Sequence, residues 1–312
     1  MMISILMPTF NGEKYISEQI DSILSQSYKK FKLIINDDRS TDNTFRIISE
    51  YAKRYPDIIK VTQNEKNTGN AKYNFLKMMV IYKDDYIMLC DQDDIWLPTK
   101  IEKTMQKMQE MQEFYETSTP ILVHTDLIVV DENLKTIKQS YRKMSKNNYK
   151  NNSLNNLLAM NIPTGCTSMY NRALADLIIN EPDYFVMHDW WLGLTAAAFG
   201  KIVSINEQTV LYRQHSDNSS GAKRALSPKY IYFVLTNNKV MAEKLNNSYR
   251  QASNFLTEYE NKLSNEQKEL ILVHSKMQEY STCKKIRVMI KNKTYLHGIT
   301  RKIAQTIVLI KS

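Results

Sequence analysis

The run Met88–Trp96, "MLCDQDDIW", sets Asp91, Gln92, Asp93 and Asp94 directly behind an apolar stretch. Carboxylates packed this closely repel one another unless something positive sits among them. Oxygen ligands in such a cluster suit Mg²⁺ or Mn²⁺. Asp91 and Asp93, two positions apart, can offer alternate side chains to one ion. An ion held there would grip a diphosphate and stabilise it as a leaving group. Without a ligand, the same residues read as a solvated acidic loop ahead of a helix starting near Thr99.

Other stretches carry chemistry of the same kind. "INDDRSTDNT" supplies Asp37 and Asp38, and a carboxylate there could accept the ring N–H of uracil or thymine. Its Ser40, Thr41 and Asp42 are candidate helix caps, which need no ligand. "NTGNAKYN" places Gly69 where a backbone could approach a ligand at a helix start, but neither the P-loop spacing nor GxGxxG occurs. In "MHDWW", Asp189 beside Trp190 and Trp191 is a general base with raised proton affinity, or an N-cap followed by two core tryptophans. "YRQHSDNSS" holds Arg213, His215 and Asn218. His215 could add a nitrogen ligand to the metal and Arg213 could contact phosphate; a surface loop histidine is the plainer reading. His124 and Asp126, two apart on one strand, face the same side and line an acceptor pocket or form a structural pair.

These residues need elements to position them. "ISILM", "FKLIIN", "IIKVTQ" and "YIMLC" read as buried strands, separated by helical patterns in "EKYISEQIDSILSQ", "STDNTFRIISEYAKRY" and "NAKYNFLKMMV". That alternation predicts an α/β fold with a mostly parallel sheet between helices. Ligands in such sheets bind beyond the carboxyl ends of the strands. There lie "PTFN", "DDRSTD", "NEKNTGN" and "DQDD". Further on, "ILVHTDLIVVDENLKTIKQSY" predicts two strands around a turn at Asp131–Asn133. "KMSKNNYKNNSLNN" reads as a polar, mobile connection and "PTGCTSMYNRALADLI" as loop, strand and helix. "MHDWWLGLTAAAFG" reads as a helix ending at Gly200, while "KIVSI" and "TVLYRQH" read as two short strands. From about Ser227 the pattern is helical, and the tail is basic and amphipathic. A catalytic domain over 1–225 and a helical region over 226–312 are the expected division.

The formal net charge of +9 suggests an anionic partner, or simply a lysine-rich surface. The lysines are spread along the chain and the sharp motifs are acidic, so nucleic-acid binding is not expected. Cys90, Cys166 and Cys283 are odd in number and form no CxxC, which indicates neither a disulfide framework nor a zinc ribbon. The opening "MMISILMPTF" lacks a basic leader, and no run has the length of a membrane-spanning helix. A cytoplasmic protein is expected.

Taken in order, "ISILMPTFNGEKYISEQIDSILSQSY", "NDDRSTDNT", "NTGNAKYNF", "DQDDIW", "PTGCTSM", "HDWW" and "YRQHSDNSSG" resemble the family-2 inverting glycosyltransferases of the GT-A fold, over roughly Ser4 to Gly221. "DQDDIW" and "HDWW" look most like bacterial rhamnosyltransferases of surface-polysaccharide assembly. The resemblance implies a GT-A, Rossmann-like sheet with a helical C-terminal extension. It implies that Pro8, Thr9, Asn11 and Glu13 lie against the nucleoside, that Asp38 binds the pyrimidine, and that Asn67, Gly69 and Lys72 sit near ribose and diphosphate, with Asp91 and Gln92 beside the donor. Asp91 and Asp93 match the DxD positions, His215 completes the Mg²⁺ or Mn²⁺ site, and Asp189 matches the catalytic base. His188 stands where many relatives have glutamate. Gly165, Cys166, His188, Trp190, Trp191 and Arg213 are assigned to the acceptor and sugar pocket.

The implied partners are a nucleotide-sugar donor, such as a dTDP-sugar, and a glycan or lipid-diphosphate-linked acceptor. The helical C-terminal region could form a homodimer. In the tail, Lys284, Lys285, Arg287, Lys291, Lys293, Arg301 and Lys302 could rest on an anionic membrane while Ile303, Ile307, Val308 and Leu309 dip into it; the other reading is a helix packed on protein. A nucleotidyltransferase would need a glycine-rich, lysine-containing triphosphate loop near the first strand, which "PTFNGEKY" does not supply. A glycoside hydrolase also uses two carboxylates, but gives no reason for a nucleotide pocket at the strand ends. A non-catalytic sugar-binding protein would not need Asp189.

Overall fold

The computed structural model describes residues 2–150, 152–215 and 238–311. The expected boundary at 225/226 and Asn218 lie outside these residues. The chain runs β1 (Ile3–Thr9), α1 (Ile16–Leu24), β2 (Phe31–Asp37), α2 (Thr44–Arg54), β3 (Ile59–Gln63), α3 (Ala71–Ile81) and β4 (Tyr86–Leu89). Then come β5 (Ile95–Trp96), α4 (Lys100–Tyr115), β6 (Ile121–Val130), β7 (Thr136–Lys138), α5 (Tyr141–Ser145), α6 (Leu154–Ala159), β8 (Ser168–Asn171) and α7 (Arg172–Ala175). Last are α8 (His188–Phe199), β9 (Lys201–Arg213), and the helices α9 (Asn238–Tyr259), α10 (Asn265–Ser275), α11 (Thr282–Asn292) and α12 (Ile299–Lys311).

The first four strands behave as their patterns require. Every residue of β1 is buried, as a central strand covered on both faces must be. β1 pairs in parallel with β2 and β4, and β2 with β3. α1 turns Ile16, Ile20 and Ile23 inward at helical spacing. α3 is started by Asn70, whose side chain accepts from the Lys72 amide. The whole sheet, among the described residues, is ordered β3-β2-β1-β4-β8-β6-β9-β5, with β7 hung on β6.

Three local expectations change. "KIVSI" and "TVLYRQH" are one strand, β9, lying parallel to β6. Register shifts between His124 and Asp126 and between Asp126 and Ile128 let the pairing continue past the polar stretch that looked like a break. The acidic run leads into the short strand β5, antiparallel to β9, before α4 begins. The asparagine-rich connection is not loop throughout, since it contains α5 and α6.

The described residues fall into two compact units that alternate along the chain. The first holds 2–141, 163–181 and 199–215 and contains the sheet. The second holds 142–162, 182–198 and 238–311 and is helical. Segments 142–162 and 182–198, which fall inside the expected 1–225 domain, therefore pack with the C-terminal helices. The core of the second unit gathers Met241, Leu245, Tyr249, Met277, Met289, Ala304, Val308 and Leu309.

Candidate active site

The registers Thr9 with Asp37 and Asp37 with Gln63 bring the carboxyl ends of β1, β2 and β3 level. The loops after them are stitched to each other. The Asn11 carboxamide oxygen accepts from the Thr41 amide at 2.8 Å, and its own amide donates to Ser40 Oγ at 3.0 Å. Glu13 Oε2 accepts from the Asn43 amide at 2.9 Å, capping the start of α2 from outside. Asp42 accepts from the Thr44 amide at 2.9 Å, so of the three candidate caps this is the one that reaches into α2. Thr9 Oγ1 donates to Asp37 at 3.2 Å.

Asp38 is buried, and its carboxylate accepts from Asn64 Nδ2 at 2.7 Å, the Thr68 amide at 2.9 Å and Thr68 Oγ1 at 2.7 Å. Asn67 donates to the Asp38 carbonyl and accepts from the Gly69 amide. Gly69 has φ +77 and open space on its Cβ side. The Lys72 ammonium stands 4.9 Å over the Tyr73 ring. Gln92 clamps the β1–α1 loop by accepting from the Phe10 amide at 2.9 Å and donating to the Phe10 carbonyl at 3.0 Å.

At the end of β4 the acidic run divides. Asp93 Oδ2 meets His215 Nε2 at 2.9 Å, and the His215 ring lies tilted against Tyr15 with centroids 4.9 Å apart. Asp94 is fully buried; burial first, then the charges of Asp93 and Asp91, hold its carboxyl well above the ordinary carboxylate range. The Asp94, Asp91 and Cys166 ligand atoms lie within 4.8 Å of one another. Burial likewise pushes the Cys166 and Cys90 thiols up and the Lys100 ammonium, 4.6 Å over Trp96, down to about 8. Gly165 and Cys166 sit in a buried 3₁₀ turn ahead of β8.

Arg213 differs most from its expected role. It is 2 % exposed and its fork is occupied by protein: Nε donates to the Asp93 carbonyl at 2.9 Å, Nη1 to the Glu132 carbonyl at 2.8 Å and Nη2 to Glu18 at 2.5 Å. Its amide donates to Asp94 and its guanidinium lies over Tyr15. Arg213 thus fixes the acidic loop rather than presenting a free fork to phosphate. Asp126 is also structural in this setting, accepting from Ser140, Gln208 and the Leu127 amide.

"HDWW" belongs to the helical unit. Asp189 lies in the first turn of α8 and is 9 % exposed. Burial lowers the His188 imidazole to about 3. Trp190 is half-buried and donates its ring N–H to the Leu157 carbonyl. Trp191 is fully buried against Phe255 and Tyr259, a core residue rather than a sugar platform. Sequence reasoning missed Glu18 and Tyr15, the two α1-side partners of Arg213; nothing in the local pattern marks contacts nearly two hundred positions apart.

The model of glycosyl transferase family 2 matches residues 4–179. The chain is 30% identical over 244 residues to dTDP-rhamnosyl transferase RfbG of Shigella flexneri, covering 75% of this chain and 80% of that one. It is 31% identical over 149 residues to the UDP-Glc:alpha-D-GlcNAc-diphosphoundecaprenol beta-1,3-glucosyltransferase WfgD of Escherichia coli, over 47% of this chain and 56% of that one. Among solved structures it is similar to S. aureus TarS 1-349 in complex with UDP-GlcNAc, at TM-score 0.56 and 18% identity, covering all of this chain and 91% of that one. A longer TarS chain is matched over 44% of its length at TM-score 0.58. The sheet order and these structural neighbours are those of the GT-A fold, and the chain belongs to glycosyl transferase family 2.

Proposed function

We propose that the enzyme moves a sugar, L-rhamnose from a dTDP-linked donor, onto a glycan or lipid-diphosphate-linked glycan, with inversion at the anomeric carbon. The observation that carries this reading is the pairing of Asp93 with His215 in the acidic run that follows β4, in the sheet whose β1, β2 and β3 carboxyl ends lie level. The likeness to the rhamnosyl transferase over three quarters of the chain supports the choice of sugar.

Asp91, Asp93 and His215 make an oxygen, oxygen and nitrogen donor set that suits Mg²⁺ or Mn²⁺. Asp93 Oδ2 and His215 Nε2 are joined at 2.9 Å by a hydrogen bond that an ion would replace, while Asp91 gathers with Asp94 and Cys166, so its part in this set requires its carboxylate to turn. When bound, such an ion neutralises charge on the departing diphosphate. Asp38 is held by Asn64 and Thr68 through four contacts on its two oxygens, so a pyrimidine ring N–H would bind it by displacing one of them. Asn67, Gly69 and Lys72 provide the polar loop for ribose and phosphate, and Gln92 holds that loop's neighbour in place. Asp189 takes the proton of the acceptor hydroxyl as it attacks the anomeric carbon. His188, neutral through burial, adds no charge beside it at neutral pH.

The test has two arms. A thermal-shift panel of nucleotide sugars with and without Mn²⁺ should give its largest, metal-strengthened stabilisation with dTDP-rhamnose. Asp189→Asn should lower transfer by roughly 10²- to 10⁴-fold while that stabilisation persists. Near-normal turnover of the variant would remove Asp189 from the reaction. The second reading is a UDP-hexose or UDP-N-acetylhexosamine donor, favoured by the WfgD likeness. It is preferred if UDP-sugars stabilise the protein and dTDP-rhamnose does not.

A further inference from the structure

From Tyr280 to Ser312 the chain has no aspartate or glutamate and eight lysines and arginines. The lysines are spread along the sequence, but the net charge is not: eight of the nine excess positive charges belong to these residues. This stretch forms α11 and α12 of the helical unit.

Both helices bury one face in the same core. α11 contributes Met289, and α12 contributes Ala304, Val308 and Leu309. Val308 and Leu309, expected from the sequence to enter a lipid interface, are therefore committed to protein. The outward face of α12 is apolar as well. Ile299, Ile303 and Ile310, spaced four and seven, lie on one arc and are 80 %, 46 % and 58 % exposed. On α11 the exposed residues are Cys283, Lys284, Arg287, Ile290 and Lys291, again within one arc. Isoleucine on a solvated helix face gains nothing from water, and here it recurs among cations with no acidic residue between them.

We infer that α11 and α12 form a docking surface for an anionic lipid bilayer, the lysines and Arg287 meeting the headgroups and the exposed isoleucines entering the interface. Charge chooses the occupant. A second copy of this surface would bring like charge against like charge. A nucleic acid would be served by the cations and would leave the isoleucines in water, and Tyr280 and Tyr295 already lie under Lys284 and Lys302 rather than open to bases. No helix of the described residues is long and apolar enough to cross a membrane, so the contact is with the surface.

The full chain is sedimented with vesicles of phosphatidylcholine alone and of phosphatidylcholine with phosphatidylglycerol. Binding is expected to the second only and to weaken with salt. K284Q/R287Q/K291Q should bind on the order of a hundredfold more weakly, at roughly fivefold per cation. I299S/I303S/I310S should lose about tenfold or more. All six positions are exposed, so circular dichroism melts should match the parent. Cys283 is exposed while Cys90 and Cys166 are buried, so a polarity-sensitive dye placed there should shift to the blue with anionic vesicles. The inference falls if the parent stays in the supernatant with phosphatidylglycerol, if neutral vesicles bind equally, or if the isoleucine variant binds unchanged. It also falls if a short DNA duplex captures the surface without need of the isoleucines, or if the isoleucine variant's only defect is loss of self-association. Donor stabilisation is read separately and is unaffected by either result.

Discussion

Replacing Arg213 with lysine keeps the charge and removes the fork. The parent guanidinium serves the Asp93 carbonyl, the Glu132 carbonyl and Glu18 at once, and lies 4.6 Å from the Tyr15 ring centroid. A single ammonium at the end of a flexible stem can satisfy one of the two carbonyls in that space, leaving the other buried without its donor. A hydrogen bond to a charged group contributes about 1.5–3 kcal/mol net. The Glu18 carboxylate is 55% exposed, so its pairing is screened and adds roughly 0–1 kcal/mol. The expected loss for Arg213→Lys is therefore about 2–4 kcal/mol, read as a lower urea midpoint at unchanged slope. Because the side chain no longer bridges the Asp93 and Glu132 carbonyls, the Mn²⁺-strengthened thermal shift with dTDP-rhamnose should shrink as well. A loss below about 1 kcal/mol together with an unchanged donor shift would refute the reasoning that Arg213 holds the acidic loop.

Other outcomes follow from single contacts. A Cβ at Gly12 would meet Gln92 Oε1 at 2.5 Å, so Gly12→Ala should displace the Gln92 clamp from Phe10; donor binding should weaken while the melting temperature changes little. A Cβ at Gly200 would lie 1.9 Å from the Pro120 carbonyl oxygen, which is itself held by the Lys201 amide. Backbone must then move, and Gly200→Ala should cost about 3 kcal/mol in urea unfolding. Burial lowers the imidazoles of His188, His274 and His297 to about 3, about 4 and about 4, below the ~6.5 of an unfolded chain. The unfolded form then binds more protons, so this stability is fully present above about pH 6.5 and is lost as pH falls toward 4. Protection factors, which divide out the intrinsic pH dependence of amide exchange, should fall in the helical unit between pH 7 and pH 5, and His274→Gln should flatten that slope; pH-independent protection would contradict the assignment.

The sequence patterns located the elements that a local period can mark. Four buried apolar runs and three amphipathic ones became β1 to β4 and α1 to α3, in the parallel order that places the polar loops at one edge. Asp91, Asp93 and His215 were legible as chemical types, and the chain brings Asp93 and His215 together. What escaped was set by distant partners. The strand β9 looked like two strands because its polar middle broke the pattern while the backbone pairing with β6 went on. Arg213 looked like a phosphate ligand because its occupants, Glu18 and two carbonyls, leave no trace nearby in sequence. In α12 two apolar arcs were present, and only packing decided that Val308 and Leu309 turn inward and Ile299, Ile303 and Ile310 outward.

The chain path through the two units has a practical outcome for anyone cutting this protein. It crosses between them at 141/142, 162/163, 181/182 and 198/199, and again before Asn238. No stop codon can therefore excise the helical unit whole. A product ending after β9 would keep Leu157, Trp191 and Leu192 from the interleaved segments but lose Phe255 and Tyr259, against which Trp191 rests. Such a truncation should emerge as an aggregating fragment, and its inactivity would say nothing about which unit performs the chemistry.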